Sequence, residues 1–192
     1  MYEYIKGSLA EAAPAYAVVE SGGVGYYLHI SVNTYSKIAS EKNVCLYVHL
    51  IVREDAHLLY GFYSREERAL FRQLISVSGI GANTANVMLS SMTVGEIIGA
   101  IRTGNAEAIR SVKGVGIKTA QRVIIELKDK VGLTGEAEDF TVSSGTAREE
   151  ALAALVMLGF VKAQASKVLD KLVAAGGNKS VEELIKLALK QL

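Results

Sequence analysis

One motif occurs twice without a gap, 35 residues apart. The first copy runs from Leu74 through Ser76, Val77, Gly79, Ile80 and Gly81 to Thr84 and Ala85. The second runs from Ile109 through Ser111, Val112, Gly114, Val115 and Gly116 to Thr119 and Ala120. In each, an apolar helical stretch meets a Gly-x-Gly turn, and a new helix starts at once. A helix start leaves backbone N–H groups without intrahelical partners, and the helix dipole favours an anion there. A tight glycine turn feeding such a start is a device for holding a phosphate. Two of them in one small region imply two grips on one polymer, so a nucleic-acid backbone is favoured over a free nucleotide.

Neither turn is a nucleotide-binding loop of the familiar kinds. Gly116-Ile117-Lys118-Thr119 lacks the glycine directly before Lys-Thr that a P-loop requires, and both turns lack the third glycine of a dinucleotide fingerprint. No ATP, NAD or other cofactor is expected. Lys118 and Arg122 lie four residues apart, on one helix face beside the second turn, where they suit charge-assisted contacts to the same strand. The first copy has Asn83 and Asn86, so its grip is expected to rest on backbone N–H groups. No side chain here suggests reading of base edges, so binding is expected to be independent of sequence.

Charge is distributed to match. The net charge is only +1, but residues 64–132 carry ten Lys/Arg against six Asp/Glu. Residues 1–63 carry four against six and residues 133–192 seven against eight. The basic excess therefore falls on the segment with the paired turns, where a field for phosphates is needed.

Residues 1–63 read as short strands rich in aromatic and β-branched residues: around Tyr2 and Tyr4, then Tyr16–Val19, Gly25–Ile30, Val44–Val52 and Leu58–Phe62. A small closed barrel of the OB type is expected, since closure removes sheet edges. A short helix over Val32–Ala39 would bridge two strands. From Ser64 the period shifts to 3.6, with Ser64 and Glu67 as a capping box. Further helices are expected over Val94–Ile101 and Ala106–Val112, capped by Thr93 and Asn105, and over Val123–Val131. Residues 133–147, small, polar and acidic, read as a flexible linker. Residues 148–192 read as three helices, Arg148–Leu158, Ala163–Ala175 and Ser180–Leu192. In them Leu152, Leu155, Val156 and Leu158 are expected to form bundle core.

The remaining features have plain readings. Cys45, the single cysteine, lies in an apolar run and is expected to be a buried small hydrophobe, with no disulfide within the chain. His29, His49 and His57 lack metal-site spacing, so no metal is expected. No apolar run approaches the roughly 20 residues of a membrane span, and Met1–Lys6 has no secretory pattern, so a cytoplasmic location is expected. Arg53-Glu54-Asp55-Ala56 reads as a polar loop tip between two strands. Two adjacent carboxylates are odd on a DNA-facing surface unless they act by repelling phosphates.

Taken together, these residues resemble the RuvA family, the Holliday-junction-binding subunits of the bacterial branch-migration complex. The resemblance runs essentially end to end. It rests on Gly22–Tyr26, Val52–Ala56 with Leu58–Phe62, the two helix-hairpin-helix copies, and Leu158–Phe160. It implies an α+β multidomain chain: an OB-fold barrel over 1–63, a tandem helix-hairpin-helix domain over 64–132, a linker over 133–147 and a three-helix domain over 148–192. By the resemblance Glu54 and Asp55 form an acidic pin at the centre of an open, square-planar four-way junction. Gly79, Ile80, Gly81, Thr84, Gly114, Val115, Gly116, Lys118, Thr119 and Arg122 hold the DNA backbone. It further implies a homotetramer, with two tetramers able to sandwich one junction. The tail would dock the hexameric ATPase RuvB through Leu155 and Leu158, and the RuvC resolvase is a further partner. The chain departs from the family at Ala82, often Pro, at Asn83, often Lys, and at Lys113, often Pro.

Two other classes compete. A helix-hairpin-helix glycosylase needs a catalytic Asp or Lys beside a base-flipping pocket, and a nuclease needs clustered carboxylates for metal ions. After the second turn the chain offers Glu126 and Asp129, which make no convincing cluster. A docking scaffold using only barrel and tail would bind no DNA.

Overall fold

The computed structural model describes residues 2–131, 147–174 and 179–192. The chain divides into two compact units, residues 1–135 and 136–192. Each is described by itself.

The first unit begins with five strands: β1 (Tyr4–Ala13), β2 (Tyr16–Ser21), β3 (Val24–Ile30), β4 (Asn43–Val52) and β5 (His57–Phe62). They close a barrel in the order β1-β2-β3-β5-β4. Closure comes from a short parallel pairing of β3 with β5, at His29–Tyr60 and Ile30–Gly61; the other pairings are antiparallel. Alternation sets the interior: Ala17 and Val19, Leu28 and Ile30, and Val44, Leu46 and Val48 point inward. Helix α1 (Val32–Ile38), capped by Ser31, joins β3 to β4 and adds Ile38 to the same core.

Two points differ from the reading of the sequence. Strand β1 extends to Ala13, far past Tyr4. Its Gly7 breaks the strand pattern because β2 crosses there; a Cβ would come 1.9 Å from the Glu20 carbonyl oxygen. Cys45 is exposed, not buried. It lies between the inward-facing Val44 and Leu46, so strand alternation turns it outward despite its apolar neighbours.

Five helices follow: α2 (Arg65–Ser76), α3 (Ala82–Ser91), α4 (Val94–Thr103), α5 (Ala106–Arg110) and α6 (Ile117–Leu127). Their core includes Leu70, Phe71, Leu74, Ala85, Met88, Ile97, Ile101 and Val123, together with Tyr60 and Phe62 from β5. Strand β5 thus serves two cores. Tyr60 and Phe62 pack on Phe71, with ring centroids 5.1 and 4.8 Å away. Gly61, between them, faces the barrel interior, where a side chain would press on Leu28 and Ile30.

Polar groups fasten α2 to the barrel. Ser64 caps α2, accepting from the Glu67 N–H at 3.2 Å. The Glu67 carboxylate, in a residue only 4% exposed, accepts from Ser31 Oγ at 2.7 Å, Thr34 Oγ1 at 2.8 Å and the Tyr63 N–H at 3.1 Å. A buried carboxylate is tolerable only with such donors. Arg68 donates to the Glu3 carboxylate at 2.6 Å and to the Glu3 carbonyl at 2.8 Å. That hydrogen bond holds the Glu3 carboxyl below its ordinary pKa, against a smaller opposing effect of burial.

The second unit contains α7 (Ala147–Met157), α8 (Lys162–Ala174) and α9 (Val181–Ala188) around Ala151, Leu155, Ala165, Leu169, Leu172, Leu184 and Ala188. Gly159, at φ +97°, follows α7, and a reciprocal Ser180–Glu183 capping box opens α9. The expected linker lies outside the described residues except for Ala147, which begins α7. Of the residues expected in the bundle core, Leu155 is fully buried and Leu152 packs against it. Val156 and Leu158 are exposed instead, because α7 turns them to its outer side and ends.

Candidate nucleic-acid interface

The duplicated motif folds the same way twice. Between α2 and α3, and between α5 and α6, the chain makes a tight turn pinned by two buried apolar residues: Val77 and Ile80 in the first copy, Val112 and Val115 in the second. The Ile80 N–H donates to the Val77 carbonyl at 3.0 Å, and the Val115 N–H to the Val112 carbonyl at 3.1 Å. Between these anchors sits a glycine in the left-handed region, Gly79 at φ +95° and Gly114 at φ +91°. Side chains are strained there, so the motif demands glycine at this position.

Gly81 and Gly116 are the N-caps of α3 and α6, at φ −85° and −80°, with no side-chain cap on either helix. The intrahelical ladder starts with the Ala85 N–H on the Gly81 carbonyl and the Ala120 N–H on the Gly116 carbonyl, both at 2.9 Å. The amides of Ala82–Thr84 and Ile117–Thr119 form the first turns. Five other helices carry a side-chain cap: Ser31, Ser64, Thr93, Asn105 and Ser180 each accept a hydrogen bond from the first turn. Among the described helices of the first unit, the two that follow the glycine turns are the ones without a side-chain cap. No Cβ obstructs Gly81 or Gly116, and nothing lies within 4 Å of where one would be.

The expected site residues fall into distinct places. Gly79, Gly81, Gly114 and Gly116 are exposed, as is Lys118, while Thr84 and Thr119 are partly exposed in the first turns. Ile80 and Val115 are only 5% and 6% exposed, and their N–H groups are already used inside the turn. Their part is to anchor the loop. Arg122 is exposed and reaches across to the other copy: Nη1 donates to the Ser78 carbonyl at 3.2 Å, and Nε lies 3.9 Å from Glu126 Oε1. The two turns are adjacent, since a Cβ on Gly79 would stand 3.6 Å from Thr119.

Asn83 and Asn86 have a role that the structure reveals. Asn83 Oδ1 accepts from the Tyr60 hydroxyl at 2.8 Å, and Asn86 Nδ2 donates to the Ile30 carbonyl at 3.0 Å. Both tie the first hairpin to the barrel. Their signal in the sequence was two poor helix formers within one short helix, at positions held by Lys118 and Gln121 in the second copy.

Glu54 and Asp55 form the exposed tip of the β4–β5 connection, closed by the Arg53 N–H on the Ala56 carbonyl at 2.8 Å. The histidines are dispersed. His29 packs on Tyr60 and Tyr27, His49 on Phe71, and His57 is exposed. The described residues bring together no group of three or more His, Cys, Asp or Glu suited to a metal. In the second unit Leu155 is core, whereas Leu158 is 61% exposed beside Met157 at 77% and Val161. Among the described residues no single helix is long and apolar enough to cross a membrane.

Comparison with known proteins agrees along the whole length. A model of the RuvA N-terminal domain matches residues 1–61, one of a SAM-like helix-hairpin-helix tandem matches 71–129, and one of the RuvA C-terminal domain matches 146–192. Relatives include proteins named Holliday junction branch migration complex subunit RuvA. That of Christiangramia forsetii is 49% identical over 193 residues, and that of Bacteroides thetaiotaomicron 47% identical over 205. That of Flavobacterium psychrophilum is 47% identical over 193 residues. In each case all of both chains is covered.

Proposed function

This chain belongs to the RuvA family, and from that premise we infer that it binds four-way DNA junctions as a subunit of a branch-migration complex. Binding is specific for structure and independent of sequence. It serves homologous recombination and DNA repair. The observation that carries this reading is the pair of glycine-capped helix starts, whose open first turns suit two phosphates of one strand. Gly79, Gly81 and Thr84 make one grip; Gly114, Gly116, Lys118 and Thr119 make the other. Ile80 and Val115 hold the turns rigid from below, and Lys118 adds positive potential.

The acidic tip has a separate task. Four chains in a square-planar tetramer would bring Glu54 and Asp55 of each to the crossover. There like charge would repel the phosphates and part the strands. The chain itself is non-catalytic. Work comes from the RuvB ATPase, docked on the tail at the exposed Leu158, with Met157 and Val161 extending the apolar surface. A second tetramer and the RuvC resolvase are compatible further partners, and the setting is the cytoplasm.

The test is a gel-shift titration of the full chain against a four-way junction and a duplex of the same sequences, at physiological salt with excess competitor duplex. Strong junction preference, with no cleavage in Mg²⁺, is the expected result. Equal weak binding to both would contradict it, and cleavage would reinstate a nuclease. Leu158→Glu should leave junction binding intact and abolish stimulation of RuvB ATPase; unchanged stimulation would move the docking site elsewhere.

A further inference from the structure

We propose that Arg122 is a positioning residue: a strut that sets the spacing of the two hairpin turns, and not a phosphate contact of its own. The proposal rests on the reading that these turns hold DNA backbone.

Arg122 stands one helical turn after Thr119, on the same side of α6. Thr119 is the residue against which Gly79 is seated. From there the guanidinium reaches the other copy and donates through Nη1 to the Ser78 carbonyl, immediately before Gly79. Its Nε edge faces Glu126. One arm of the fork is thus hydrogen-bonded to the other copy, and its Nε edge lies at ion-pair distance from a carboxylate of its own helix. A phosphate would have to compete with a neighbouring carboxylate for the same charge. Lys118 differs: it lies in the first turn of α6, exposed, where its ammonium adds to the open amides.

The strut runs one way. The position equivalent to Arg122 in the first copy is Val87, which cannot bridge. The first turn is thus held by α6, and α6 carries the second grip. Two linked grips help each other only while their separation matches the ligand, because the second contact then forms at high effective concentration. Loosening the link lowers that concentration without removing a phosphate contact.

Salt dependence separates the two roles. Each lost phosphate contact lowers the slope of log K against log salt by about 0.9. Junction affinity of the full chain should be measured across a salt series for wild type, Lys118→Gln, Arg122→Gln and Arg122→Lys. Lys118→Gln should flatten the slope. Arg122→Gln should lower affinity about tenfold, the weight of one charge-assisted hydrogen bond, at an unchanged slope. Arg122→Lys keeps the charge but not the fork, so it should bind as poorly as the Gln variant. A slope flattened by Arg122→Gln as much as by Lys118→Gln, with affinity restored by Lys, would overturn the strut. Hydrogen exchange of the free full chain decides the matter without DNA. Arg122→Gln should speed exchange over residues 77–83 and leave the barrel unchanged. Unaltered exchange there would overturn the proposal even if junction binding holds. Absence of junction binding by wild type would instead overturn the hairpin reading alone.

Discussion

In the first hairpin, Asn83 and Asn86 turn toward the barrel, to Tyr60 and to the Ile30 carbonyl. In the second, the same positions carry Lys118 and Gln121, both exposed. The backbones nevertheless agree closely: the turn glycines differ by a few degrees in φ, and so do the capping glycines. A duplicated motif can thus keep its geometry while its side chains diverge between anchoring and charge. The first copy is referred to the barrel, from which the acidic tip also projects. The second is referred to the first, through Arg122 and through Thr119 packed on Gly79.

The largest effects should come from filling the left-handed positions. Gly79→Val and Gly114→Val each force a β-branched residue to positive φ, at a cost of roughly 2–3 kcal/mol. Junction affinity should fall about a hundredfold. Gly79→Val should be the worse, because its side chain also meets Thr119 and disturbs the second copy, whereas nothing lies near a Cβ on Gly114. Urea unfolding with a junction titration checks the order; a more damaging Gly114→Val would break the comparison.

Gly81→Ala and Gly116→Ala sharpen it. Both positions have negative φ and open space, so the loss of stability should stay at about 1 kcal/mol, that of an alanine at an N-cap. The added methyl stands where a phosphate oxygen would approach, so affinity should drop about tenfold for either, the weight of one charge-assisted contact. A drop in one copy alone would mean that the hairpins do not share the load.

Tyr60→Phe touches the first hairpin only. It removes the donor to Asn83 Oδ1 at a cost of about 1 kcal/mol, visible as a lower unfolding midpoint. Exchange should quicken over α3 and not over α6.

The smallest effect is carried by pH, at the root of α2. Burial lowers the pKa of His49, and the charges of Arg72 and Arg68 add to the shift. Arg72 Nε donates to its Nδ1 at 3.4 Å, which requires the neutral ring. An unfolded histidine takes up its proton near 6.5, whereas the folded one resists. Stability is therefore full above that value and declines as pH falls through it toward the folded pKa, then levels. His49→Gln should flatten this slope in denaturation curves taken between about pH 7 and 5; an unchanged slope would assign it to another group.

Much of this was legible in the chain. Strand alternation and turn glycines indicated a barrel, and the duplicated glycines marked both turns by number. Thr93 and Asn105 cap as their sequence context suggests. What escaped depends on partners distant in sequence. The Glu67 carboxylate serves Ser31 and Thr34, more than 30 residues away. Gly7 is explained only by the passage of β2, and Cys45 faces out because alternation outweighs local apolarity. Arg122 looked like one more basic residue beside the turn. Its link to Ser78 becomes visible only once the two copies are packed together.

The most direct test of the central claim is hydrogen exchange of the full chain with and without a saturating four-way junction. The account predicts that amides over residues 81–84 and 116–119 become protected together and to a similar degree, with the turns otherwise unchanged. Protection in neither segment, or in the second alone, would contradict the claim that paired glycine-capped helices grip the DNA backbone.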